Sequence, residues 1–393
     1  MSYLLNLFDS WWCNLVRKIL RDLIVKALRW FVKKLFLLVF IFLQAHSDQF
    51  VYPLFEVEAD SIMLLYQKSL DDVELWLSRK NSGIATKELS SVFTPSQVRP
   101  LPGGEGFSFI DRGRVRIKSF AKRAPRLVEM LAPISSVLFM EWVGEDSFIF
   151  TGKCFGRYGI FLCKVAADGG AETLVLALSD KENYLYPSMV NDRLFCVAQD
   201  DYDVYHIVQI PWQPKGFKEF DPQGFIPLLV STFSDPTCFL SMKSESEGFF
   251  VQYSHRPDDE LLLFRYFSLS IMKENSQVKE LFEFRLPLSF LTGGSDQRVY
   301  DSIYPFLPRF NQSNEEIFFV DFDPDSNTPF LCKHFLKEAK TVRISGGDSL
   351  FAPLPSSDAL LYAGRIYKNE DCGVIQGLKE RGLVDNVLVE GLS

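Results

Sequence analysis

The sequence predicts an all-β fold over residues 48–393, a seven-bladed β-propeller of four-stranded blades, and three observations predict it. Short apolar β-runs return every 41 to 68 residues along that span. Most are preceded by an aromatic or apolar segment, and five of these segments carry Pro at the matching place. A polar turn and two further strand-like runs come after each one. A lone four-stranded sheet of this kind leaves both faces bare. Stacked around an axis, each sheet covers its neighbours and only short edges remain. Composition agrees, because 37 Phe in 393 residues, beside Val, Ile and Tyr, suit strands.

Ahead of the repeats, residues 1–47 read as a separate unit. Apolar pairs recur every four positions from Trp11/Trp12 to Leu35/Phe36, with Arg17, Lys18, Arg21, Lys26, Arg29, Lys33 and Lys34 between them. That spacing predicts a helix with one apolar and one basic face. The run LFLLVFIFL at 35–43 comes next. As a helix it rises about 14 Å, far short of the ~30 Å hydrocarbon core. Its length suits a secretory apolar region, with Ala45 and Ser47 at the small positions before a cut. Alternatively the helix anchors the chain in the membrane interface, or packs as a soluble amphipathic helix on the body. Basic residues before an apolar run stay cytoplasmic and send the downstream chain across the membrane. Export with membrane association through 1–47 is the expectation.

The repeats then run in order. Their second strands are IMLLY from Ile62, FSFI from Phe107, FIFTG from Phe148, LFCVA from Leu194, FFVQY from Phe249, IFFVDF from Ile317 and LLYAG from Leu360. The recurring prolines of the preceding strands are Pro53, Pro100, Pro187, Pro305 and Pro353. Third strands run from VELWLS in the first unit to CGVIQGL in the last, and fourth strands from IATKELSS to NVLVEG. The second unit is short; the sixth is long, with the insert LTGGSDQRVYDS at 291–302.

The pattern is fullest in YLYPSMVNDRLFCVAQDDYDVYHIVQI at 184–210 and in LFAPLPSSDALLYAG at 350–364. It resembles the TolB-like propeller repeat of bacterial envelope proteins, whose blades read aromatic, Pro, polar turn and apolar run. Where that family has Ser-Pro-Asp-Gly, this chain has VNDR at 190–193 and PSSD at 355–358. The small α/β domain that precedes the TolB propeller has no counterpart here, so the resemblance carries over no TolA-like or Pal-like partner. It implies the propeller fold and an envelope setting.

Charge and cysteine content narrow the function. Net charge is −8; residues 1–47 hold seven Lys/Arg against two Asp, leaving about −13 on the remainder. An acidic body argues against nucleic acid, which needs a concentrated positive face. The seven cysteines form no CxxC and no zinc spacing, and most sit in apolar runs as small buried hydrophobes. DFDPDSN from Asp321 starts like a calcium loop but has Ser326 and Cys332 where Gly and Glu belong. Neither GxSxG nor HExxH occurs. No metal and no cofactor are expected.

Three sets of residues remain as candidates. The turns between second and third strands are acidic, with Asp71 and Asp72, with Asp200, Asp201 and Asp203, with Asp258, Asp259 and Glu260, and with Asp323 and Asp325. Turns at one blade position share one face of the ring, so these carboxylates form a rim that steers a cationic partner or holds divalent ions; Asp also simply favours turns. The second unit departs from this with Arg112, Arg114, Arg116 and Lys118, of which the last three alternate onto one strand face. They suit phosphate, a lipid headgroup or an acidic protein, or form a solvated flank with snorkelling stems. First strands line the channel, placing Glu56, Glu58, Arg99, Glu141 and Arg309 there. Paired carboxylates across a funnel would suit glycoside cleavage, yet no spacing rule links these. The expected role is therefore a non-catalytic protein-interaction platform in the cell envelope, exported to the periplasmic side, with a monomeric propeller and a protein partner. The alternative is a carbohydrate-active or other hydrolytic enzyme at the channel mouth.

Overall fold

The computed structural model describes residues 50–382 except 58–60, 70–71, 80–83, 92–95, 123, 131–132, 167–169, 223–225, 255–260, 273–275, 288–306, 311–314, 325–328, 347–350, 354–358, 363–364, 370–371 and 377–378. The expected N-terminal helix and the 1–47 unit lie outside the described residues, as does the expected last strand, NVLVEG.

Antiparallel four-stranded meanders succeed one another. Blade 1 is β1 (Phe50–Glu56), β2 (Ser61–Ser69), β3 (Asp72–Arg79) and β4 (Ile84–Ser91). Blade 2 is β5 (Ser96–Pro100), β6 (Gly106–Asp111), β7 (Arg114–Ser119) and the short β8 (Arg126–Leu127). Blade 3 is β9 (Ile134–Trp142), β10 (Ser147–Cys154), β11 (Arg157–Val165) and β12 (Ala171–Ala177). Blade 4 is β13 (Asn183–Val190), β14 (Arg193–Gln199), β15 (Tyr205–Ile210) and β16 (Leu228–Phe233). Blade 5 is β17 (Thr237–Met242), β18 (Glu247–Ser254), β19 (Leu261–Ile271) and β20 (Ser276–Pro287). Blade 6 is β21 (Arg309–Phe310), β22 (Glu316–Phe322), β23 (Pro329–Phe335) and β24 (Lys340–Gly346).

The expected seventh blade does not form; the propeller has six four-stranded blades among the described residues. After β24 come β25 (Phe351–Pro353), β26 (Ala359–Tyr362), β27 (Arg365–Asn369), β28 (Cys372–Gln376) and β29 (Lys379–Gly382). β25 and β26 pair as the repeat requires, but the third strand of that sheet is β29. CGVIQ, expected there, instead makes the β27–β28 hairpin and joins blade 1, with Cys372 opposite Thr86 and Val374 opposite Ile84. Two causes are visible. RIYKN at 365–369, which the repeat pattern assigns to a turn, is itself strand-forming. The outer edge of β4 offers an unpaired row of backbone groups, and a hairpin satisfies it. Blade 1 thereby grows to six strands. β25 packs against both β22 and β1, so the three-stranded remnant stands between blade 6 and blade 1.

The recurrent prolines have a backbone explanation. In β13 the ladder to β14 skips from Leu185 to Ser188, so Pro187 sits in a bulge where no ladder N–H is required. A similar shift comes just after Pro53 in β1.

Neighbouring blades meet along their faces, and phenylalanine fills the joints. One cluster of buried side chains runs through all six blades, from Leu54 through Phe107, Leu138, Leu185 and Leu240 to Ile317. At the joint of blades 5 and 6, Phe282 stacks on Phe319 with centroids 4.1 Å apart. Polar links cross the joints between successive blades as well. Lys118 Nζ reaches Glu88 Oε2 at 2.7 Å between blades 2 and 1. Trp142 Nε1 donates to Ser108 Oγ at 2.9 Å between blades 3 and 2. The Tyr158 amide donates to Asn183 Oδ1 at 3.0 Å between blades 3 and 4. The Met242 amide donates to Ser188 Oγ at 2.9 Å between blades 5 and 4. The Arg285 amide donates to Asp321 Oδ1 at 2.7 Å between blades 5 and 6. Each link satisfies a polar group that burial between two sheets would otherwise leave unpaired.

Candidate functional site

A meander fixes which turns share a face. First strands of successive blades lie side by side around the axis, as β1, β5, β9, β13 and β17 do. The second-to-third turns therefore gather where first strands begin, here the upper face, and the first-to-second turns on the lower.

On the upper face the hairpins of blades 3 and 4 stand next to each other. The tip of the first is Phe155–Gly156, both at positive φ (50° and 89°), and Phe155 is 81 % exposed. Tyr202 crowns the second and is 88 % exposed. Arg157 Nη2 ties them by reaching Asp201 Oδ1 at 2.6 Å. Asp200 Oδ1 accepts the amides of Tyr202 and Val204 at 2.8 and 2.9 Å, an Asx turn that shapes the loop. Asp203, at φ 58°, accepts from Gln199 Nε2 at 2.9 Å. His206 Nε2 lies 4.0 Å from Asp200 Oδ2. The three carboxylates of this turn thus each have a job within it, and Asp201 also joins two blades.

Beneath these tips lies a cavity of about 200 Å³ between blades 3, 4 and 5. Tyr158, Tyr186, Tyr205 and Tyr253 wall it, with Asn183 and Gln199 at the polar side. Asn183 Oδ1 is taken by the Tyr158 amide. Gln199 Nε2 is taken by Asp203 and by Tyr205 Oη, the latter at 3.1 Å. Asn183 Nδ2 and Gln199 Oε1 have no partner among the described residues. No charged side chain among the described residues lines the cavity. The repeat pattern alone does not single out this cavity, although the sequence carries a signal for it. Tyr158, Tyr205 and Tyr253 each flank the second-to-third turn of three successive blades, in GRYG, VYHI and QYSH.

Two of the other expected rim residues stand at the expected blade position. Asp72 opens β3 and Asp323 comes directly after β22, both at second-to-third turns. Asp71, Asp258, Asp259, Glu260 and Asp325 lie outside the described residues.

The basic set of blade 2 is dispersed by the packing. Arg112 sits at φ 50° in the turn and Arg114 is exposed. Arg116 pairs with Asp111 at 2.8 Å, and Lys118 is 3 % exposed, held by Glu88 and lying 6.0 Å over the Phe107 ring. One strand face that begins in solvent ends between two blades, so its cations do not present a common surface.

Of the expected channel residues, Glu56, Arg99, Glu141 and Arg309 stand on first strands, and Glu58 lies outside the described residues. Arg99 and Glu141 are brought together toward the lower face. Burial pushes the Glu141 carboxyl up to about 7, and Arg99 opposes part of that rise. Arg99 is the one charged group acting on it among the described residues. A shallow hollow of about 460 Å³ walled by Pro100, Leu101, Pro102 and Trp142 adjoins them.

Cys154, Cys163, Cys196, Cys238 and Cys332 are buried free thiols, and burial pushes Cys163 and Cys332 up to about 12. They are inert packing groups rather than nucleophiles. Among the described residues no cluster of three His, Cys, Asp or Glu could hold a metal, and no helix is long and apolar enough to cross a membrane.

No family model matches the chain, and no curated protein matches it either. Several solved structures are similar. TolB from Acinetobacter baumannii is 10% identical with a TM-score of 0.42, the match covering 77% of this chain and 65% of that one. A putative TolB from Agrobacterium tumefaciens is 11% identical with a TM-score of 0.40, covering 71% and 90%. An oligogalacturonate lyase in complex with manganese is 12% identical with a TM-score of 0.48, covering 84% and 92%. The two TolB chains are of the family whose repeat the sequence resembles. At these identities and scores, activity and partners are not carried across, and the fold rests on the strand topology itself.

Proposed function

We propose that the propeller is a non-catalytic protein-interaction platform of the bacterial cell envelope, exported and kept at the membrane through residues 1–47. The observation that carries this reading is the pair Phe155 and Tyr202, exposed at adjacent hairpin tips. Large aromatic side chains in solvent are typical interface anchors. Phe155 holds its position at positive φ, a backbone conformation that costs an L-residue roughly 1–2 kcal/mol. Asp201 and Asp203 beside the anchors favour a partner with basic groups at its rim. Export and membrane association rest on the basic amphipathic segment and the apolar run of 35–43.

The test is photo-crosslinking in envelope preparations with a benzophenone amino acid at position 202. One protein should be captured, and Phe155→Ser should reduce its capture about tenfold or more. Equal capture by Phe155→Ser, or the absence of any saturable adduct, would reject the platform.

A second reading has one observation in its favour: a carboxyl poised near neutrality suits a general acid, and Glu141 has that property. A hydrolytic propeller would lose turnover in Glu141→Gln during a glycan-hydrolysis screen while keeping position-202 capture. The platform predicts no turnover in either protein.

A further inference from the structure

We infer that the tyrosine-walled cavity between blades 3, 4 and 5 binds one ring of an uncharged sugar. This site is distinct from the aromatic tips above it and does not depend on the platform reading. The walls decide the first half of the chemistry. Tyr158, Tyr186, Tyr205 and Tyr253 offer aromatic surfaces whose negative faces attract the polarised C–H groups of a pyranose.

The polar side decides the rest. Asn183 Nδ2 supplies donors and Gln199 Oε1 an acceptor, both without a partner among the described residues. A vicinal pair of hydroxyls satisfies both at once, because each hydroxyl donates and accepts. A purely apolar peptide side chain would desolvate the two amide groups and return no hydrogen bond, which is unfavourable. An acidic sugar is disfavoured for a different reason. Its carboxylate would enter a cavity with no charged lining residue among those described. The neighbouring cations are engaged, Arg157 by Asp201 and Lys153 over the Tyr158 ring at 5.7 Å.

The experiment is ligand-observed NMR and tyrosine-fluorescence titration of the whole chain. The probes are glucose, galactose and N-acetylglucosamine, with galacturonate and N-acetyltryptophanamide as charged and apolar competitors. At least one neutral sugar should bind saturably in the millimolar range, as suits a single ring. Tyr253→Ala removes a half-buried wall and should weaken that sugar about tenfold. Asn183→Asp retains the oxygen that accepts the Tyr158 amide but loses the donor, and should weaken it similarly with the thermal midpoint preserved. This second variant decides the matter if the first fails to fold. No saturable neutral sugar on the parent chain would overturn the inference. So would tighter binding of galacturonate or N-acetyltryptophanamide, or unchanged binding in Asn183→Asp.

Discussion

Glu141 shows how a single half-buried group sets a pH dependence. Its folded pKa of about 7 lies above the ordinary 4.5, so folding favours its protonated form. Its contribution to stability is fully present below about pH 4.5 and is lost as pH rises through 7, at most roughly 3 kcal/mol. Asp321 shifts in the same direction, raised chiefly by burial. His334 opposes both: burial, aided by Lys279, lowers its pKa, so its contribution is present above pH 6.5 and lost as pH falls. Glu141→Gln isolates the first effect. Urea unfolding should find the variant more stable than the parent at pH 8 and the gap closed at pH 4; a gap independent of pH would refute the assignment. Lys118 and Glu88 give a second residue-scale prediction. Glu88→Gln leaves a buried ammonium without its counter-charge and should cost about 3–5 kcal/mol, whereas Glu88→Leu with Lys118→Met should recover most of it. In the sequence Lys118 is only one of three cations on a strand. Its burial depends on Glu88, thirty residues earlier in another blade, and no local pattern encodes that pairing.

At the scale of elements, the strands and their order were legible because continuous apolar runs buried on both faces, and Pro-marked bulges, are local signals. IMLLY, FSFI, FIFTG, LFCVA, FFVQY and IFFVDF all became second strands of blades. The last unit departed because its pairing is not local. CGVIQ is as good a third strand as any other, and the strand-forming RIYKN beside it together with the bare edge of β4 draws it away. The repeat pattern left the tyrosine cavity unmarked, since its walls come from three blades and only the recurring turn-flanking tyrosines pointed to it. The hairpin β27–β28 should therefore protect an edge. Replacing residues 364–377 by a short Gly-Ser linker exposes β4, and the protein should self-associate as concentration rises while its far-UV circular dichroism stays β-rich. Size-exclusion chromatography with light scattering reads this. A strictly monomeric variant with an unchanged thermal midpoint would show that the hairpin has no such role.

For the whole molecule, charge divides the chain into a basic first segment and a body of about −13. Full-length protein should sediment with vesicles containing anionic phospholipid, and residues 48–393 alone should remain in the supernatant at low salt. Sedimentation of the body by itself would remove the membrane role from 1–47. The ring as a class of architecture was legible from recurrence, but its blade number was not, because counting apolar runs cannot reveal which sheet a run will join. That late joining also has a cost in time. Thr86 and Cys372 are partners separated by about 290 residues. At roughly 5–20 residues per second, synthesis takes about 15–60 s to supply the second after the first. Throughout that interval blade 1 is made but unfinished, and its outer strand is open to any extended segment nearby. A chain built this way depends on whatever shelters it while it is being made, and its earliest vulnerability to misassembly lies in the first blade to emerge.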